Sequence, residues 1–186
     1  MKRIKARLLS VVIAVGATVG LDQWTKQLAI EHLQGAPDII YADGLLRLTF
    51  VRNTGAFLSL GSDLGPFLRT ILLEVFPTLL LLALLVYIFR ERRLHKWQVI
   101  ALALIVGGGL SNIVDRLLFG HVVDMLHMKV ATLQTGIFNV ADMAIMAGMF
   151  IMLPFAFQKE EPDEPVTPVE TDEPTLEESI TIRSEA

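Results

Sequence analysis

The chain has 186 residues, 53% of them hydrophobic, and a mean hydropathy of +0.54, too apolar for an ordinary soluble domain of this length. The formal charge of −4 understates how uneven the chain is, because much of its acid lies after position 157. The absence of cysteine excludes disulfides, iron–sulfur clusters, thiol catalysis and zinc–thiolate sites, and no phosphate loop, dinucleotide signature or basic nucleic-acid stripe is present.

A helix crossing a membrane needs about 20 mostly apolar residues. Four blocks qualify, at 8–30, 67–89, 97–117 and 137–157. The basic start (Lys2, Arg3, Lys5, Arg7) and the apolar run Leu8–Leu21 would also suit a secretory signal peptide. The charged continuation from Asp22 to Lys26, and the need for an even number of spans, favour retention as the first span. The link 31–66 contains alternating stretches such as Leu46-Arg47-Leu48-Thr49-Phe50-Val51, which predict a small β-rich platform on the membrane surface. Spans two and three are joined by a short basic link with Arg90, Arg92, Arg93 and Lys96. Within span three, Gly107, Gly108 and Gly109 suit close helix approach or room for a lipid chain, packing being the stronger reading. After span four, residues 158–186 read QKEEPDEPVTPVETDEPTLEESITIRSEA. Such a segment cannot bury enough surface to fold, which predicts a disordered acidic tail.

The expected fold is therefore an all-α integral membrane bundle of four helices over residues 1–157, with the platform on one face and the tail beyond. One compact unit, a monomer among membrane lipids, is expected. The distribution of Lys and Arg puts the N-terminus, the 90–96 link and the C-terminus in the cytoplasm.

With that orientation, every ionisable group inside the spans gathers toward the outer face: Asp22 and Lys26, Arg69 and Glu74, Asp115 and Arg116, and Asp142. Charges in a bilayer are costly and point to function unless they pair or reach water. Asp22 and Lys26, four apart, make an adequate structural ion pair, and Asp115 and Arg116 suit an interface position. Asp142 is harder to explain structurally. Its neighbours Phe138, Val140, Ala141, Met143, Ala144 and Ile145 are apolar, no cation lies within a helical turn, and its place in the block puts it roughly 8 Å below the outer boundary.

Four segments carry a resemblance: LDQWTK at 21–26, VRNTGAFLSLG at 51–61, GGGLSNIVDRLLFGHVVDML at 107–126 and FNVADMAI at 138–145. Together and in this order they resemble lipoprotein signal peptidase, the signal peptidase II family. The resemblance implies an aspartic endopeptidase of the inner membrane, working without a cofactor at the outer face. Its substrate would be a diacylglyceryl-modified prolipoprotein, cut just before the lipidated cysteine. It implies Asp124, in V-V-D, and Asp142, in F-N-x-A-D, as the catalytic pair. Asn112, Arg116 and Asn139 would support them, Asn53 and Gly55 would lie beside the substrate, and Asp22 and Lys26 would brace the extramembrane part. Asp115, in the tighter D-R element, would support the site without performing the cut.

The chemistry suits such a pair. Peptide hydrolysis needs an activated water and a proton for the leaving amine, and two close carboxyls sharing one proton supply both. Two rivals use the same residues. His121, Asp124 and His127 have the i, i+3, i+6 spacing of metal ligands, although no H-E-x-x-H occurs. The intramembrane charges could also form a proton relay in a transporter, but the inner halves of the spans carry none. No bound metal is expected.

Overall fold

The computed structural model describes residues 2–55 and 64–157. The expectation of a disordered tail at 158–186, and the part of the second motif from Ala56 onward, lie outside these residues. Helix α1, Lys2–His32, runs for 31 residues, about 46 Å at 1.5 Å per residue. That exceeds a hydrocarbon core of about 30 Å, so one end stands clear of it. Pro66–Thr70 (α2) and Phe76–Arg90 (α3) form one apolar rod through a π turn at Ile71–Val75. Pro77 stands two residues past the end of that turn. Its ring would clash with the carbonyl four residues back, and the wider turn relieves the clash.

Helix α4, Lys96–Phe119, starts at a capping box in which Gln98 accepts from the His95 N–H (2.8 Å). It stops at Gly120, whose φ of +73° is the left-handed cap that glycine adopts freely. Helix α5 is Val140–Ala156. Three helices, Ile4–His32, Pro66–Arg90 and Lys96–Phe119, are long and apolar enough to cross a membrane, and Val140–Ala156 is a shorter apolar helix. The expected block 137–157 starts too early, because Ile137 and Phe138 belong to a strand and Asn139 is the N-cap of α5.

The platform is an antiparallel sheet in the order β1 (Ile39–Tyr41), β2 (Leu46–Asn53), β3 (Val122–Val130), β4 (Leu133–Phe138). The alternation in 31–66 therefore foreshadowed only half of it, and the link 118–136 supplies the rest. A register shift between Leu48 and Val51 sets Val51 opposite Asp124 and Asn53 opposite Val122. Ala29 and Leu33 of α1 pack with Val123 and Met125 of β3, fastening the sheet to the top of α1.

Helix α4 is the centre of the bundle, and its three glycines face three different helices. A Cβ on Gly107 would lie 3.0 Å from Thr18 Cβ, and one on Gly109 would lie 2.8 Å from Leu81 Cδ1. A Cβ on Gly108 would lie 2.3 Å from Ala141 O. From the other side, a Cβ on Gly148 of α5 would lie 2.5 Å from Ala101 O. Both ends of the α4–α5 seam are thus backbone-to-backbone contacts that no side chain fits. The glycines serve packing, and the contact at Gly108 brings α4 against the first turn of α5.

Candidate active site

The polar residues singled out from the sequence converge where α1, α4, β2 and β3 meet the N-terminus of α5. Three asparagines organise the site, and each has its side-chain oxygen occupied by a donor. Asn139 caps α5, its Oδ1 accepting from the Asp142 N–H (2.9 Å). Its Nδ2 is thereby aimed at Asp124 Oδ1 (2.7 Å). Asn53 accepts from the Gly55 N–H (2.9 Å) and gives its Nδ2 to Asp124 Oδ2 (2.8 Å). Asn112 accepts from the Lys26 ammonium (3.0 Å) and gives its Nδ2 to Asp142 Oδ1 (2.9 Å). An ammonium has donors only, so Lys26 fixes which end of the Asn112 amide faces Asp142. Asp142 Oδ2 also accepts from the Asn139 N–H (3.3 Å), completing a capping box. Asn139 thus touches both carboxyls, and every contact described on either is a donor.

Asp142 belongs to the first turn of α5, three residues after the N-cap Asn139. There its charge meets the positive end of the helix dipole, which offsets the absence of a neighbouring cation. Asp124, in the link between α4 and α5, is on β3 and only 2% exposed. Burial is the main cause that pushes its carboxyl up to about 6. The Asn53 amide pulls the other way, the Asp142 charge pushes up again, and Asn139 pulls down.

Asp115 stays apart from this pair. It binds Lys26 (2.5 Å) and accepts from Gln23 Nε2 (2.8 Å). Lys26 also pairs with Asp22 (2.5 Å), whose two oxygens accept from Ser111 Oγ (2.7 Å) and the Ala141 N–H (2.8 Å). Asp22 and Lys26 therefore join α1 to α4 and α5 within the bundle. Ser111 and Gln23 were missed as members of this network. Both lie inside the motif segments, but they carry no charge to mark them. Arg116 donates through Nη2 to Gly55 O (2.6 Å) and through Nη1 to Asn112 O (3.2 Å), tying the chain after β2 to α4.

The metal-like spacing does not survive folding. Asp124 and His127 are three apart on an extended strand, which points them to opposite faces. His121 Nδ1 lies 2.9 Å from Phe119 O. Among the described residues, no group of three or more His, Asp or Glu side chains is placed to hold a metal ion.

The family model described as signal peptidase (SPase) II matches residues 14–158. A lipoprotein signal peptidase of Acinetobacter baumannii (strain ATCC 17978) is 37% identical over 147 residues, covering 76% of this chain and 81% of the relative. One from Streptococcus thermophilus (strain CNRZ 1066) is 30% identical over 154 residues, covering 83% of this chain and 96% of the relative. Two solved structures described as a bacterial membrane enzyme share the fold. Their TM-scores are 0.69 and 0.71 at 21% and 22% identity, covering 82% and 81% of this chain and 94% of each.

Proposed function

The chain belongs to the signal peptidase II family, and from that premise we propose that it is an aspartic endopeptidase whose catalytic pair is Asp124 and Asp142. Membership makes it a membrane-embedded peptidase that removes signal peptides from prolipoproteins. The observation that carries the proposed pair is Asn139, which donates to both carboxyls from one residue.

In this reading the pair holds one proton between its two carboxyls. The ionised member draws a proton from a water that attacks the scissile carbonyl, and the protonated member releases its proton to the leaving amine. The pair titrates as a unit rather than as two separate acids. The three asparagine amides, locked by their own donors, hold both carboxyls without competing for that proton. Arg116 and Gly55 fix the edge over which the substrate backbone lies. The bond cut is the one before the diacylglyceryl-modified cysteine, because a signal helix and acyl chains both partition into the bilayer and bring that bond to its boundary.

Helix α5, at 17 residues about 25 Å long, completes a four-span bundle at the short end of the usual range. The bundle works as a monomer in the inner membrane, with both termini cytoplasmic and the sheet outside. A gel-shift assay on a lipidated proprotein tests the pair. Asp124→Asn and Asp142→Asn should each lower cleavage roughly 10²–10⁴-fold or more. Normal processing by either variant sinks the proposal.

A further inference from the structure

At the end of the bundle opposite the sheet lies a cavity of about 690 Å³, lined by Arg7, Ser10, Arg92, Arg93, His95 and Lys96 among others. We propose that this cavity docks the chain's own acidic segment, residues 158–186.

Two observations and one general consequence of tethering favour that occupant. The first is charge. The segment holds ten acidic residues against Lys159 and Arg183, a net charge of −8, so the rest of the chain is positive. The cavity adds to its cations the N-terminus of the 24-residue helix α4, where the helix dipole is positive. Glu91 beside it gives an oxygen to the Arg93 N–H (2.8 Å), and Arg7 caps α3 through Ile88 O (2.8 Å) and Glu91 O (2.6 Å). The second is where the chain leaves the bundle. The ring of Phe155, in the last turn of α5, lies tilted against His95 with centroids 5.8 Å apart, so the described chain ends within two residues of a contact with a residue that lines the cavity. The third is tethering. A segment attached this close has an effective concentration near the millimolar range, which a free anion must match. The match to the family model ends at residue 158, where the acidic segment begins.

Carbodiimide cross-linking of the full chain in phosphatidylcholine nanodiscs, mapped by mass spectrometry, tests the docking. Links should form within one molecule between Lys96 and carboxylates beyond residue 158. They should fall about tenfold in Arg92→Glu/Arg93→Glu, and likewise in about 1 M salt, where the screening length is about 3 Å. Both arginine side chains are exposed, and retained cleavage of a lipidated proprotein checks that the double variant folds and inserts as the native chain does. Absence of these links, links only between copies, or links indifferent to charge reversal would overturn the proposal. Links that vanish when phosphatidylglycerol replaces phosphatidylcholine at equal ionic strength would assign the cavity to an anionic lipid and overturn it equally.

Discussion

Asp124 shows how much a single residue's role depends on partners far away in the chain. It lies in a link between two spans, yet its carboxyl is buried between Asn53, 71 residues earlier, and Asn139. Asp142 could be picked out from the bilayer argument because its apolar neighbours are local. Asp124 could not, because its burial exists only once β3 pairs with β2, and the family motif selected it. That burial has a consequence for stability. An acid whose folded value is about 6, against 3.8 unfolded, holds a proton in the folded state that the unfolded chain has released. Its contribution is therefore full below about pH 4 and lost as pH rises to about 6, by on the order of 3 kcal/mol. Thermal unfolding of the protein in detergent across pH 4–7 should show this fall, and Asp124→Asn should flatten it. Equal pH slopes in the two proteins would refute the assignment of the shift to Asp124.

At the level of elements, the apolar helices were legible because hydropathy is a local sum, three of them long enough to cross a membrane and Val140–Ala156 shorter, while their ends and the strands were not. The block 137–157 absorbed Ile137 and Phe138, which are as apolar in a strand as in a helix. Strand β3 was hidden because its pairing with β2 is non-local, β4 because the two residues that turn the β3–β4 hairpin, Ala131 and Thr132, carry no Asn-Gly or Asp-Gly signal, and His121 to His127 even mimicked a helical spacing. The glycine run carried more information than its composition suggested. Gly108 is where α4 meets the carbonyl of Ala141, and Asn112, one turn on, reaches Asp142 from the same face. Gly108→Ala forces a Cβ to within 2.3 Å of that carbonyl unless α5 moves. The expected cost is roughly 1–3 kcal/mol of stability, together with cleavage lost by tenfold or more as the Asn112–Asp142 contact opens. Gly20→Ala is the control: nothing lies within 4 Å of its Cβ, and alanine suits a helix better by roughly 0.5–1 kcal/mol. Cleavage and thermal unfolding measured on both variants separate the two outcomes. If Gly108→Ala behaved like Gly20→Ala, the seam would not be what holds the two carboxyl-bearing elements together.

The whole molecule is polarised along the bundle. Buried charges, the sheet and the two carboxyls gather at one end, and Arg7, Arg92, Arg93 and Lys96 surround the cavity at the other. Between them the surface is apolar, with Leu79, Leu80, Leu82 and Val86 of α3 and Phe150 and Leu153 of α5 exposed, as lipid contact requires. The order of basic links predicts which end faces the cytoplasm, because the positive-inside bias needs only the sequence of short loops. It leads to an orientation that can be measured. The chain contains no cysteine, so each introduced one is a unique reporter. In intact cells, a membrane-impermeant maleimide should label Gln134→Cys, at the exposed β3–β4 hairpin, and spare Arg92→Cys until the membrane is permeabilised. Both positions are exposed and remote from the carboxyls, so processing should persist and confirm that each variant is inserted as the native chain is. Labelling of Arg92→Cys from outside would invert the bundle. The carboxyls would then face the cytoplasm, on the side where a signal peptide has not yet crossed, and the proposed site of cleavage would fail with the topology.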